Sequence, residues 1–310
     1  MSDPHRLTPL LVLERIARRL PIGLGLWLAD GLGRAYARLA LSTGASLHPW
    51  HVENFPAELG ALLGEPVDPA ERRRLVTDRL AFVLTQWLVR RAVRGAPARV
   101  GRDPLLRIVV RGAEHLREAL ARGRGAFAIS THFGFSHLIG LALDRAGIPW
   151  VAIVGAPWRA EHIRVSADVW SRTLALRRIR TELSRNKVCI MLPDRAAGPT
   201  TRVPFLRGHL DLGLGAFRLA ERTETPLLPF FIRAAERPPR FQVEFSTPVE
   251  LARPGRSAVH AAIEEFTSAY AACVRRHPSH LPYHSSGRLL DGRSAGQETE
   301  EMTDGAEDLG

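Results

Sequence analysis

Residues 126–145 read AFAISTHFGFSHLIGLALDR and hold a complete strand–turn–helix pattern. The apolar run 126–130 is too short for a helix and ends on Ser130, as a buried strand does. Thr131-His132-Phe133-Gly134 follows at once, and apolar residues at helical spacing then run over 135–145. A strand, a tight turn and a helix form the repeating unit of a parallel sheet. Side chains at the C-terminal ends of such strands line the ligand crevice, beside helix N-termini that attract anions. By position His132 is therefore a candidate for chemistry; the plain alternative is a hydrogen-bonded histidine in a turn.

The same rhythm extends outward from that segment. Short apolar runs at 106–110, 150–154, 188–192, 227–232 and 241–245 are predicted strands, and 113–122, 160–183, 212–221 and 257–274 are predicted helices. Near-continuous apolar strands alternating with helices predict an α/β fold with a mostly parallel central sheet flanked by helices. The last two strands, joined across Pro238-Pro239, are expected to pair as a hairpin at one edge. Before residue 95 the pattern is helical, over 7–20, 22–41 and 69–93, with Pro49 and Pro56 marking the loop between the last two. Gly213 and Gly215 read as close helix packing rather than as a phosphate fingerprint, since two glycines alone are weak evidence.

Composition narrows the function classes. The 310 residues carry a formal charge of +11, but 291–310 hold seven acidic residues and one Arg. Removing that tail of −6 leaves the remainder near +17, and nearly all of its cations are Arg, with Lys187 the lone lysine. A basic body suits nucleic acid, an anionic membrane or an acidic substrate. No nucleic-acid recognition motif or aromatic binding signature accompanies it, so nucleic acid is set aside. Cys189 and Cys273 have no metal-ligand or CxxC spacing, which argues against a zinc site and a disulfide framework. The opening MSDPHRLTP lacks the layout of a secretory signal. The apolar run 20–29 has ten residues, half of what a spanning helix needs, yet 20–42 is amphipathic with Trp27 and Tyr36 and suits either the headgroup layer or a helix that caps the domain.

Two blocks resemble a known family. Residues 112–143, GAEHLREALARGRGAFAISTHFGFSHLIGLAL, are similar to the first block of the lipid A late acyltransferases and the related lysophospholipid acyltransferases. Residues 183–232, LSRNKVCIMLPDRAAGPTTRVPFLRGHLDLGLGAFRLAERTETPLLPFFI, are similar to the second, and HPSHLPYHSSGRLL at 277–290 is a weaker third match. The resemblance implies a glycerolipid acyltransferase-like domain over 96–287; the helical pattern before it reads as an N-terminal helical, membrane-surface region over 1–95, and composition predicts a disordered acidic tail over 288–310. The resemblance also implies acyl transfer to a lipid or glycolipid hydroxyl or amine. The donor would be an acyl carrier protein or coenzyme A thioester, and no cofactor or metal is implied. The protein would lie peripherally on the cytoplasmic face of the bacterial inner membrane, against an anionic lipid surface.

In that family a histidine is the general base, and an acidic residue five positions on orients it. His132 matches the base, whereas the fifth position holds His137. A neutral imidazole can fix a tautomer but cannot stabilise an imidazolium. Asp194 or Asp144 is then the alternative source of a carboxylate, and Asp194 matches the family's acidic position after the strand at 188–192. Arg202, Phe205, Arg207 and Gly208 match its substrate loop, with Arg207 a phosphate contact. Arg164, Arg172 and Arg177 are candidates for a further basic contact, with Arg164 assigned to substrate binding. The substitution at His137 also admits a catalytically diverged lipid-binding homologue.

Overall fold

The amphipathic stretch at 22–41 is a helix, α1 (Ile22–Thr43), in the computed structural model, which describes residues 20–44, 52, 54–155, 157, 159–165, 168–195, 199–249, 251 and 256–282. The expected helix at 7–20 (save Leu20), Pro49, Ala196-Ala197-Gly198, the end of the third block and the acidic tail lie outside the described residues. α1 buries Ile22, Leu26, Ala29, Ala37 and Ala40, one face at helical spacing. It crosses α3 (Pro69–Gly95) closely at Gly33, where a Cβ would stand 2.8 Å from the Ala81 Cα. The Asp68 carboxylate caps α3 by accepting from the backbone N–H groups of Ala70 and Glu71. Between them, Pro56 does not mark a loop as expected. It lies in the first turn of a helix, α2 (Phe55–Leu63), where proline's missing N–H costs nothing. A short helix, α4 (Pro97–Arg102), leads into the sheet.

The sheet region runs β1 (Arg107–Arg111), α5 (Ala113–Ala121), β2 (Ala126–Ile129), a 3₁₀ turn (Ser136–Leu138) with α6 (Ile139–Arg145), β3 (Trp150–Val154), β4 (His162–Arg164), α7 (Val169–Ser184) and β5 (Val188–Met191). A second 3₁₀ turn (Pro193–Arg195) precedes β6 (Thr200–Phe205) and β7 (Gly208–Gly213). Then follow α8 (Gly215–Thr223), β8 (Leu227–Ala234), β9 (Arg240–Phe245), α9 (Arg256–Arg276) and a last 3₁₀ turn (Pro278–His280). Seven strands form the central sheet in the order β1-β9-β8-β2-β5-β3-β4. Every neighbouring pair is parallel except β8 and β9. The fold is thus a mostly parallel sheet flanked by helices, with an N-terminal helical extension.

Alternation along β2 sorts the two cores. Phe127 and Ile129 enter one, with α7, α8 and α9; Ala126 and Ala128 enter the other, with α1, α3 and α6. All four residues are fully buried, the signature of a strand covered on both faces. The N-terminal helices share these cores, through Leu26 and Phe82 on one side and Phe55 and Leu75 on the other.

Several expectations need correction. The segment predicted as one helix over 160–183 contains β4, paired in parallel with β3, before α7 begins. Helix propensity over three residues differs by no more than about 1 kcal/mol in sum. Burying Ile163 to 2% exposure is worth about 2 kcal/mol, so the sheet wins. The helix expected at 212–221 begins only at Gly215, because 212–213 pair with 200–201 across an antiparallel hairpin, β6–β7. Gly215 has open space where a Cβ would be, so it does not mark close packing. The β8–β9 hairpin forms as expected, yet β9 is not the edge: β1 pairs outside it in parallel.

Candidate active site

Register brings the two central groups together. β2 and β5 are parallel neighbours with Ile129 opposite Met191. His132 and Asp194 each lie three residues beyond that pair, so both chains deliver them to the same end of the sheet. The Asp194 carboxylate is 3.0 Å (Oδ1) and 3.1 Å (Oδ2) from the His132 Nδ1, and Oδ2 also accepts from the His132 backbone N–H at 2.9 Å. Burial opposes ionisation of Asp194, but the charge and hydrogen bonds of His132, with Arg195 beside it, outweigh that and hold the carboxyl below its ordinary range. An ionised carboxylate only accepts, so Nδ1 carries the proton and Nε2 keeps the lone pair. The His132 side chain remains 25% exposed against 11% for Asp194, so the base can be reached while its partner is covered.

Three elements clamp the turn that carries His132. Gly134 has φ +60, and its N–H donates to the His280 carbonyl at 2.9 Å. A Cβ at Gly134 would stand 1.9 Å from the Ile232 carbonyl oxygen, so only glycine fits. Gln86 of α3 donates to the Gly134 carbonyl at 2.6 Å, and Phe135 N–H donates to Ile232. Phe133 enters one core against Phe231 and Tyr270; Phe135 enters the other against Phe82 and Phe241. Gln86, Tyr270 and His280 escape a sequence reading. Only the weak third block hinted at His280.

The other candidates fall in several places. His137 sits on the 3₁₀ turn with its ring centroid 6.5 Å from that of His132, which leaves the ring nitrogens beyond hydrogen-bond reach. Burial foremost, then Arg90, His132, Arg94 and Arg195, keeps its imidazole neutral well below its usual range. Asp144 is committed elsewhere, accepting from Trp150 Nε1 at 2.7 Å and pairing with Arg159. Arg202 forms a two-pronged pair with Asp211 across the β6–β7 hairpin. Phe205 is buried and stacked on Tyr270 at 4.7 Å, while Gly208 is buried at the start of β7. Arg207 is exposed at the hairpin turn, its N–H donating to the Leu62 carbonyl. Arg164 ends β4 at the same end of the sheet as His132, about 14 Å away by three strand spacings.

The family model described as bacterial lipid A biosynthesis acyltransferase matches residues 70–281. The chain belongs to that family. This lipid A acyltransferase family member is an enzyme of acyl transfer to lipid, and the matched span runs from α3 through the clamp at His280. A search of the curated proteins returned no match. Among solved structures, the 1-acyl-sn-glycerophosphate (LPA) acyltransferase, PlsC, from Thermotoga maritima is 12% identical, covering 80% of this chain and 98% of its own, with a TM-score of 0.35. In this acyltransferase the carboxylate at the histidine comes from Asp194, not from the fifth position of the family's motif.

Proposed function

We propose that the protein moves a fatty acyl group from an acyl carrier protein or coenzyme A thioester to a hydroxyl or amine of a lipid or glycolipid, with His132 as general base. The observation that carries this reading is the 3.0 Å contact between His132 Nδ1 and Asp194, which leaves Nε2 as a base. His132 Nε2 takes the acceptor's proton as the acceptor oxygen or nitrogen attacks the thioester carbonyl. The C–S bond then breaks, and the proton passes to the departing thiolate, which leaves as the thiol. Asp194 is a positioning residue that fixes the ring and stabilises its transient cation. Arg164, Arg202, Phe205, Arg207 and Gly208 are proposed to border the substrate groove, with Arg207 the phosphate contact.

The reaction is placed at the cytoplasmic face of the bacterial inner membrane, on an anionic lipid surface. Supporting this, α1 exposes Trp27, Leu32, Tyr36 and Leu39 outside its packed stripe. Arg38, Arg73 and Arg74 line a groove near its C-terminal end. Among the described residues no helix is long and apolar enough to cross a membrane. A non-catalytic lipid-binding role rests on His137 at the motif's acid position, and Asp194 against the ring weighs against it.

The test is transfer of a radiolabelled acyl chain from carrier-protein and coenzyme A thioesters to an extracted lipid fraction. Wild type transfers from at least one donor, and H132A does not. Transfer that survives H132A overturns the mechanism.

A further inference from the structure

Beside the dyad lies a group of cations that neither the family motif nor the proposed mechanism uses. Gln86, Arg90 and Arg94 follow one another at i, i+4 spacing on α3 and so share one face. Gln86 is pinned to the Gly134 carbonyl at 2.6 Å, which fixes that face against the His132 turn. Arg90 and Arg94 are therefore the next two turns along the rim, and α3 packs on the 3₁₀ turn that bears His137. From the opposite side Arg195 follows Asp194, whose oxygens are turned to His132. All three guanidinium groups are on exposed residues, and none has a carboxylate partner among the described residues. Arg90 is lowered by burial foremost and then by Arg94 and Arg195, and after burial the same three cations help keep His137 neutral.

Such a cluster has a cost in the empty protein, because like charges held together repel. A doubly charged anion relieves it better than a single carboxylate, and planar guanidinium forks bind phosphoryl oxygens two at a time. A neutral His137 can add one ring N–H donor to the same anion. We propose that Arg90, Arg94 and Arg195, with His137, form a binding site for a phosphoryl group of one of the two substrates, seated on the α3 side of His132. This reading rests on the acyl-transfer proposal and gives the motif's exchanged position a use: the acid is supplied by Asp194, which frees position 137 for an anion site. The phosphoryl group could belong to the donor's coenzyme A or to the acceptor's lipid headgroup, and the experiment separates them.

Binding is measured in the H132A background, so that it does not depend on turnover. Calorimetric titrations use coenzyme A, short-chain phosphatidic acid in micelles, and diacylglycerol of the same chain length as the phosphate-free control. The expected result is that R90A/R94A weakens at least one phosphate-bearing probe tenfold or more and leaves diacylglycerol unchanged. R195A should weaken the same probe, and R218A/R222A, an exposed pair on α8, should weaken none. Loss confined to coenzyme A assigns the phosphoryl group to the donor, and loss confined to phosphatidic acid assigns it to the acceptor. Equal affinity in parent and R90A/R94A for both probes overturns the proposal, as does equal weakening by R218A/R222A. Failure of both probes to bind the parent overturns it too. Far-ultraviolet circular dichroism checks that each variant is folded, and R90K/R94K, which keeps the charge, should bind more tightly than R90A/R94A.

Discussion

His132 and Asp194 stand 62 residues apart in the chain and 3.0 Å apart in space, joined Nδ1 to Oδ1. The contact arises because β2 and β5 are parallel neighbours in register, so equal excursions beyond Ile129 and Met191 meet. In a serine protease, exchanging the analogous aspartate for asparagine lowers kcat by about four decades through the wrong tautomer. D194N should behave likewise here, losing roughly three to four decades of kcat with KM changed little. A loss below about tenfold in steady-state transfer assays would remove Asp194 from the mechanism.

H137E restores the family's spacing, yet it should not raise activity. Asp194 already occupies Nδ1, and a carboxylate at 137 would pair with Arg90, Arg94 or Arg195 instead. Transfer should fall, and H137E should not rescue D194N. A rise in kcat/KM for H137E would show that the motif position still serves the ring.

Gly134 cannot carry a side chain. Its φ of +60 and the 1.9 Å approach of the Ile232 carbonyl both oppose a Cβ. G134A should lose at least about 2 kcal/mol of stability, from backbone strain and displaced β8 contacts. A denaturant midpoint equal to that of the parent would contradict the clamp.

His280 links stability to pH. Burial foremost, then His277, Arg79 and Arg233, pushes its imidazole down to about 3 from 6.5. The unfolded chain takes up that proton near pH 6.5, whereas the folded chain resists until about 3. The contribution of the neutral ring is therefore complete above pH 6.5 and is lost as the pH falls toward 3. Urea midpoints should drop from pH 7 to pH 5, and H280Q should drop less over that interval. His137, His162 and His277 are lowered too, so the slope lessens rather than vanishes. Identical slopes for H280Q and parent would exclude His280 as a source.

The outward face of α1 is testable on vesicles. Trp27 (58%), Leu32 (52%) and Leu39 (61%) stand exposed on α1, outside the stripe by which the helix is packed. W27E/L32E/L39E should keep its thermal midpoint and lose most of its cosedimentation with vesicles containing phosphatidylglycerol. Undiminished cosedimentation would move the membrane contact off α1.

The features legible in the sequence were local and periodic. Runs such as 126–130 and 188–192 specify buried strands because an apolar segment of that length has one economical way to satisfy its backbone. The helices between them carry their own spacing, and the phrase around His132 and the block from 183 to 232 were enough to reach the family. It faltered where nonlocal pairing overrides propensity, as in β4, whose three residues become a strand only because β3 is there to pair with them. At the site, the motif's spacing points to His137, because a motif encodes only separation along the chain. Which group touches the ring of His132 is set by the packing of the sheet. Strand order and register, neither written in any local pattern, bring Asp194 to Nδ1 and leave His137 facing arginines from another helix.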